Sequence, residues 1–220
     1  MNFIQLVEDL RVASGSSSTP RDSFSQNPSH EHSRFRRWIN DAWRDIQMRR
    51  NDWYFRQQSA SHVMRVGANV MDSREWEAGD VSQWCTDSLR ISEPGSGKRL
   101  SESMRFDDWG VFSTGEGLDS VVQGKPLTFS VRPNDNAIVV APSAEFAYII
   151  YYDYVRGVQE LVGEQDEPIM PKDFHKLIVY QALMEYGQFE ASQDSIQLAM
   201  RGRKRMMAEL ERNQLPQVIF

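Results

Sequence analysis

Between Arg34 and Trp53 the apolar positions fall three and four apart: Phe35, Trp38, Ile39, Ala42, Trp43 and Ile46. That spacing places them on one side of an α-helix. The other side carries Arg36, Arg37, Asp41, Arg44, Asp45 and Arg49, and predicts ion pairs of Asp41 with Arg44 and of Asp45 with Arg49. The helix is expected from about His30 to Arg50, with Ser29 or Ser33 as its N-cap and Glu31 at the positive end of its dipole. Burying each of its large apolar side chains is worth roughly 1.5–3 kcal/mol, so a stripe with two tryptophans and a phenylalanine requires other helices to cover it.

Phe3, Leu6, Val7 and Leu10 predict a short helix over residues 2–13 that stops at Ser14-Gly15, where SGSSSTP opens a loop reaching about Pro28. After Trp53 the helical period gives way to alternation. Phe55 to Val66 and Ser88 to Ser92 read as half-wet strands, with a turn at Glu93 to Gly97, and Met104 to Phe112 as a brief helical turn. Pro126 to Pro133, Ala137 to Pro142 and Phe146 to Val155 are β-branched and aromatic strands, the first two joined by Asn134-Asp135-Asn136 as a hairpin. Such short intervals predict an antiparallel meander.

Helical spacing returns at Pro171: Phe174, Leu177, Ile178, Ala182, Tyr186 and Phe189 form one stripe, with Gly187 expected to bend or end it. Ile196, Ala199, Met200, Met207 and Leu210 form another, stopped by Asn213 and Pro216. The expected fold is α+β: N- and C-terminal helix pairs (residues 1–54 and 156–213) make a four-helix bundle around Phe35, Trp38, Ile39, Trp43, Ile46, Phe174, Ile178 and Ala182. Residues 55–155 form an inserted antiparallel β module, and residues 214–220 a C-terminal tail.

Composition narrows the function. Thirty-one acids against 25 bases leave a net charge of −6, which argues against a general nucleic-acid coat. Cys85 is alone, so neither an internal disulfide nor a cysteine zinc site is expected. No run of about eighteen apolar residues is present, and the acidic N-terminal stretch is unlike a signal peptide, so neither membrane insertion nor export is expected.

Candidate chemistry is thin. Gly95-Ser96-Gly97-Lys98 lacks the earlier glycine and the following hydroxyl of a phosphate loop, with Ser92 and Arg99 in those places, and reads as a turn. His30 and His32 flank Glu31 without a third ligand, and His62 and His175 have no nucleophile motif beside them. No catalytic, cofactor-binding or metal site is expected. Arg201, Arg203, Lys204 and Arg205 form a basic cluster that reads equally as a solvated helix surface or as a contact for phosphate or an acidic partner.

Two stretches carry a resemblance: RRWINDAWRDIQMRRNDWYF, with Asn40-Asp41-Ala42-Trp43 before Asp52-Trp53, and MPKDFHKLIVYQALMEYGQFEAS, followed by Arg212-Asn213-Gln214-Leu215-Pro216. Together they resemble the head–tail connector adaptors of tailed bacteriophages, of the tail tubular protein A type. Asp107-Asp108-Trp109 matches more loosely in the β region. The resemblance implies a structural virion protein without catalysis, located in the neck after assembly in the host cytoplasm. It implies a dodecameric ring that joins the portal protein to tail or neck proteins and extends the channel through which DNA leaves without sequence recognition. It further implies a C-terminal segment that docks on the portal, here Leu215, Pro216, Gln217, Val218, Ile219 and Phe220. The alternative is a nucleic-acid-binding helical protein that uses the arginine-rich helix faces.

Overall fold

Asn2 starts the first helix, α1 (Phe3–Ser14), with a reciprocal cap: its side chain accepts from the Gln5 backbone N–H, and the Gln5 side chain accepts from the Asn2 N–H. Gly15 ends α1 in the left-handed conformation at φ 73°, where a Cβ would be strained. This computed structural model describes residues 1–16, 30–71, 80–114 and 122–215, apart from the side chains of residues 30–32. The second helix, α2, runs His30–Met48, and its two candidate caps lie one outside the described residues (Ser29) and one within the helix (Ser33).

At the end of α2 the Arg49 backbone N–H still bonds the Asp45 carbonyl, but the Arg49 side chain does not form the predicted ion pair with Asp45. It reaches instead to Glu211 at 3.4 Å, while Asp41 pairs with Arg37 four residues before it. The later helices are α4 (Lys176–Phe189) and α5 (Gln193–Gln214), after the short α3 (Trp109–Phe112) in the middle of the chain. Gly187 does not end α4. It lies within the helix, and a Cβ there would come within 2.7 Å of Ile196 on α5, so its role is to let the two helices approach.

α1, α2, α4 and α5 contribute to one core, with α4 packed on each of the other three. Phe3, Leu6, Leu10, Phe35, Ile39, Trp43, Ile46, Leu177, Ile178, Ala182, Leu183, Ala199 and Leu210 are fully enclosed in it. These helices, with Trp53, belong to one compact unit made of Met1–Arg56 and the chain from Val158 onward.

Gln57–Gly157 forms the second compact unit. Its strands are β1 (Gln57–Val63), β2 (Val70–Met71), β3 (Val81–Trp84), β4 (Arg90–Ser92), β5 (Glu102–Ser103), β6 (Arg105–Phe106), β7 (Gln123–Gly124), β8 (Thr128–Val131), β9 (Ile138–Ala141), β10 (Ser143–Ala144) and β11 (Ile149–Arg156). β11 is the spine of one sheet: β1 pairs along one edge, and β4 and β3 share the other, all antiparallel. The second sheet runs β2-β9-β8-β6.

The two sheets share a core in which Phe129, Ile138 and Val140 meet Trp84, Ile91, Ile150 and Tyr152. The other face of β9 is covered as well, Val139 and Ala141 packing with Phe112 of α3, which explains an unbroken apolar run where one wet face would give alternation. The Asn134 to Asn136 turn joins β8 to β9, with Asn136 at φ 58°.

The expectation of a purely antiparallel module requires correction. β6 runs parallel to β8, and β7 parallel to β10. A parallel pair needs a long crossover, which the α3-bearing connection between β6 and β8 provides. Met104 to Phe112 is correspondingly not one helical turn: Arg105 and Phe106 are strand, and the helix begins only after Asp108, whose carboxylate accepts from the Gly110 N–H.

Candidate interaction surfaces

Of the expected core residues, Phe35, Ile39, Trp43, Ile46, Ile178 and Ala182 are fully buried, whereas Trp38 and Phe174 are only partly buried at the margin. Trp38 lies edge-on to Phe35 and Tyr186 and against Phe189, over which the Arg34 guanidinium sits at 4.5 Å. This face is therefore aromatic and half-wet.

The segment after Gly157 is held by amide side chains of α2. Asn40 donates to the Leu161 carbonyl and accepts from its N–H; Gln47, fully buried, does the same for Gln159. Gln159 in turn accepts from Trp43 Nε1 and from the Ile169 N–H, and donates to the Glu167 carbonyl. Asp166 accepts from the N–H groups of Val162 and Gly163, and these bonds hold its carboxyl below the ordinary carboxylate range. The carbonyls of Asp166 and Glu164 take up the N–H groups of Phe3 and Ile4, two of the orphan donors at the start of α1.

So fixed, the segment presents Val158 (40% exposed) and Val162 (68% exposed) to solvent, with the exposed Glu160 between them and the exposed Glu164 after them. Neither of these two carboxylates has an ion-pair partner among the described residues.

A second surface lies where the end of α2 meets α4 and α5. Arg49, Met184, Met200, Arg203, Lys204, Met207, Ala208 and Glu211 line a groove of about 390 Å³, which continues past Asp45, Met48 and Gln181. Met48 is 62% and Met200 55% exposed; Met200 thus leaves the core stripe its spacing suggested. Arg203 Nε and Gln181 Oε1 are shielded from solvent yet make no hydrogen bond. Of the basic cluster, Arg201, Lys204 and Arg205 are exposed and Arg203 half-buried, and none forms an ion pair among the described residues. On the α4 side, Glu185 has its carboxyl pushed up to about 7 by burial and by the nearby Asp41 and Asp45.

Both surfaces combine exposed apolar side chains with charged neighbours. A family profile described as SU10 adaptor protein matches residues 1–218, nearly the whole sequence. The chain belongs to the SU10 adaptor protein family. That assignment agrees with the head–tail adaptor resemblance of the two helical stretches, and makes the chain a bacteriophage structural adaptor. No curated protein matches it.

In this adaptor-family chain His175 is held by the core. His175 is fully buried, its Nδ1 accepting from the Met1 ammonium at 2.7 Å and its Nε2–H donating to the Met170 carbonyl at 2.8 Å. Burial, together with the adjacent ammonium, pulls its pKa down, so the ring is neutral and inside the core. His62 is half-buried on β1, and the side chains of His30, Glu31 and His32 lie outside the described residues. Glu93 to Gly97 is a turn closed by the Ser96 N–H on the Glu93 carbonyl, with Lys98 over the Tyr151 ring. No group of three metal-ligating side chains is found among the described residues, nor is any described helix long and apolar enough to cross a membrane.

Leu215 leaves α5 in an extended conformation and packs, half-buried, on the helical core. Pro216, Gln217, Val218, Ile219 and Phe220, the rest of the segment expected to dock on the portal, lie outside the described residues. Sequence reasoning missed Gln47 and Gln159, because a lone glutamine, whether on a helix face or in the coil after β11, carries no periodic signal. Asn40 stood inside the motif that carried the resemblance.

Proposed function

We propose that the chain is a head–tail adaptor of the virion neck. It assembles as a dodecameric ring beneath the portal, joins the portal to the tail, and extends the channel through which the genome leaves. The observation that carries this reading is the family match over residues 1–218. In this reading the N- and C-terminal helices serve as a four-helix bundle body that supplies the subunit and portal surfaces, and the β unit faces neighbours or the tail. Leu215 to Phe220, apolar and without a charged side chain, docks on the portal.

A net charge of −6 suits a channel that must release a passing duplex rather than hold it. Head-to-tail contacts that close by rotation make a ring, and repetition reinforces each weak contact. Reconstruction of the phage neck tests the reading. A ring of this chain between portal and tail is expected, and a neck with no density for it would overturn the assignment. Steep, salt-dependent binding to duplex DNA through Arg201, Arg203, Lys204 and Arg205 would favour the nucleic-acid alternative.

A further inference from the structure

The two surfaces of the helical unit complement each other. One offers two exposed valines flanked by unpaired carboxylates; the other offers two exposed methionines flanked by unpaired cations. Methionine suits a surface that has to accept a partner, because its unbranched thioether adapts to the incoming shape. The shielded Arg203 Nε and Gln181 Oε1, which lack hydrogen bonds, mark the groove as a place where a polar partner is missing.

Their positions exclude contact within one copy. Asn40, Trp43 and Gln47 hold the acidic segment, while Asp45, Met48 and Arg49 line the groove. At 100° per residue these sets lie roughly 150° apart around α2, so the two surfaces face away from each other. Two different patches on opposite sides of one helix are the geometry of a head-to-tail interface, which repeats from copy to copy instead of stopping at a pair.

We propose that Val158 to Glu167 of one copy seats in the methionine-lined groove of the next. Val158 and Val162 pack against Met48 and Met200, and the carboxylates of Glu160 and Glu164 meet Arg203 and Lys204. The occupant of the groove is thus a second copy of this chain. The contact rests on the ring reading above and names the surfaces that build the ring.

The test is a pair of cysteines, Val162→Cys with Met200→Cys, in phage particles assembled with the variant chain and mildly oxidised. Both positions are exposed, so the fold tolerates them. The expected result on a non-reducing gel is a ladder of dimers, trimers and higher multimers from the double variant, with neither single variant giving one. A product that stops at dimers means a two-fold contact and overturns the proposal. Particles that keep their neck ring but form no cross-link also overturn it, leaving the ring reading intact; wild-type particles without such a ring remove both. Glu164→Lys should slow the cross-link severalfold, and adding Lys204→Glu should restore it. An unchanged rate in Glu164→Lys would remove the carboxylate from the contact.

Discussion

Gly202 on α5 lies so close to the Tyr180 ring on α4 that a Cβ at that position would come within 2.6 Å of the ring carbons. The glycine is therefore a packing requirement in the middle of a helix, where its conformational freedom is a liability. Gly202→Ala gains about 1 kcal/mol of helix propensity and loses about 1–3 kcal/mol through overpacking against a ring that must tilt away. We expect a net destabilisation of about 1 kcal/mol, measured by urea unfolding. In a Tyr180→Ala background the same substitution should stabilise, since the obstacle is gone. Destabilisation of similar size in both backgrounds would show that the ring is not what excludes the methyl group.

Gln47 is the second expected weak point. Replacing it with Ala leaves the Gln159 backbone N–H and carbonyl without their partners, and an unsatisfied buried group costs about 1–3 kcal/mol. Gln47→Met, which keeps the volume but not the amide, should be destabilising as well. A Gln47→Met protein with the wild-type denaturation midpoint would mean that the bonds to Gln159 contribute little.

His175 makes stability depend on pH with a defined sign. Its folded pKa lies below the ordinary 6.5, so the unfolded chain binds the proton more readily. Stability is fully present above about 6.5 and is lost as the pH falls toward the folded value. Denaturation midpoints between pH 7 and pH 5 should decline in a Glu185→Gln protein, where the opposing carboxyl is absent. Adding His175→Asn should flatten that slope.

Glu185 works in the opposite direction. Its folded pKa is raised from 4.5 to about 7, so the folded state binds the proton more tightly. The stabilisation is present below 4.5 and is lost as the pH rises through about 7. Glu185→Gln should therefore be more stable than the parent at pH 8, with the difference vanishing near pH 4.5. Equal stability at both pH values would mean that neither burial nor the neighbouring Asp41 and Asp45 raises the Glu185 carboxyl.

How far the sequence reveals the fold depends on the kind of signal. The stripes on α1, α2 and α4 were legible because burial repeats every three or four residues, and Phe35, Ile39, Trp43 and Ile178 fall where that period puts them. The strands Thr128–Val131, Ile138–Ala141 and Ile149–Arg156 were legible from β-branched and aromatic runs. The parallel pairing of β6 with β8 was not, because strands of two residues have no period and their partner is chosen by the crossover that returns the chain. Gly187 misled for a related reason: a glycine that admits Ile196 looks, in sequence, like one that ends a helix. The surfaces were partly legible. The basic residues 201–205 stood out, but their setting beside Met48 and Met200 depends on where α2 stops. The acidic strip around Val162 depends on amide bonds between residues more than a hundred positions apart.

Those long-distance amide bonds also set a timetable for synthesis. Phe35, Ile39, Trp43 and Ile46 leave the ribosome early, but the helix that buries them, Lys176–Phe189, follows only after the whole β unit has been translated. For most of translation α1 and α2 have only each other to pack against, and the strands that follow them are free to assemble first. A stop codon anywhere before α4 therefore releases a polypeptide whose α2 tryptophans lack their cover.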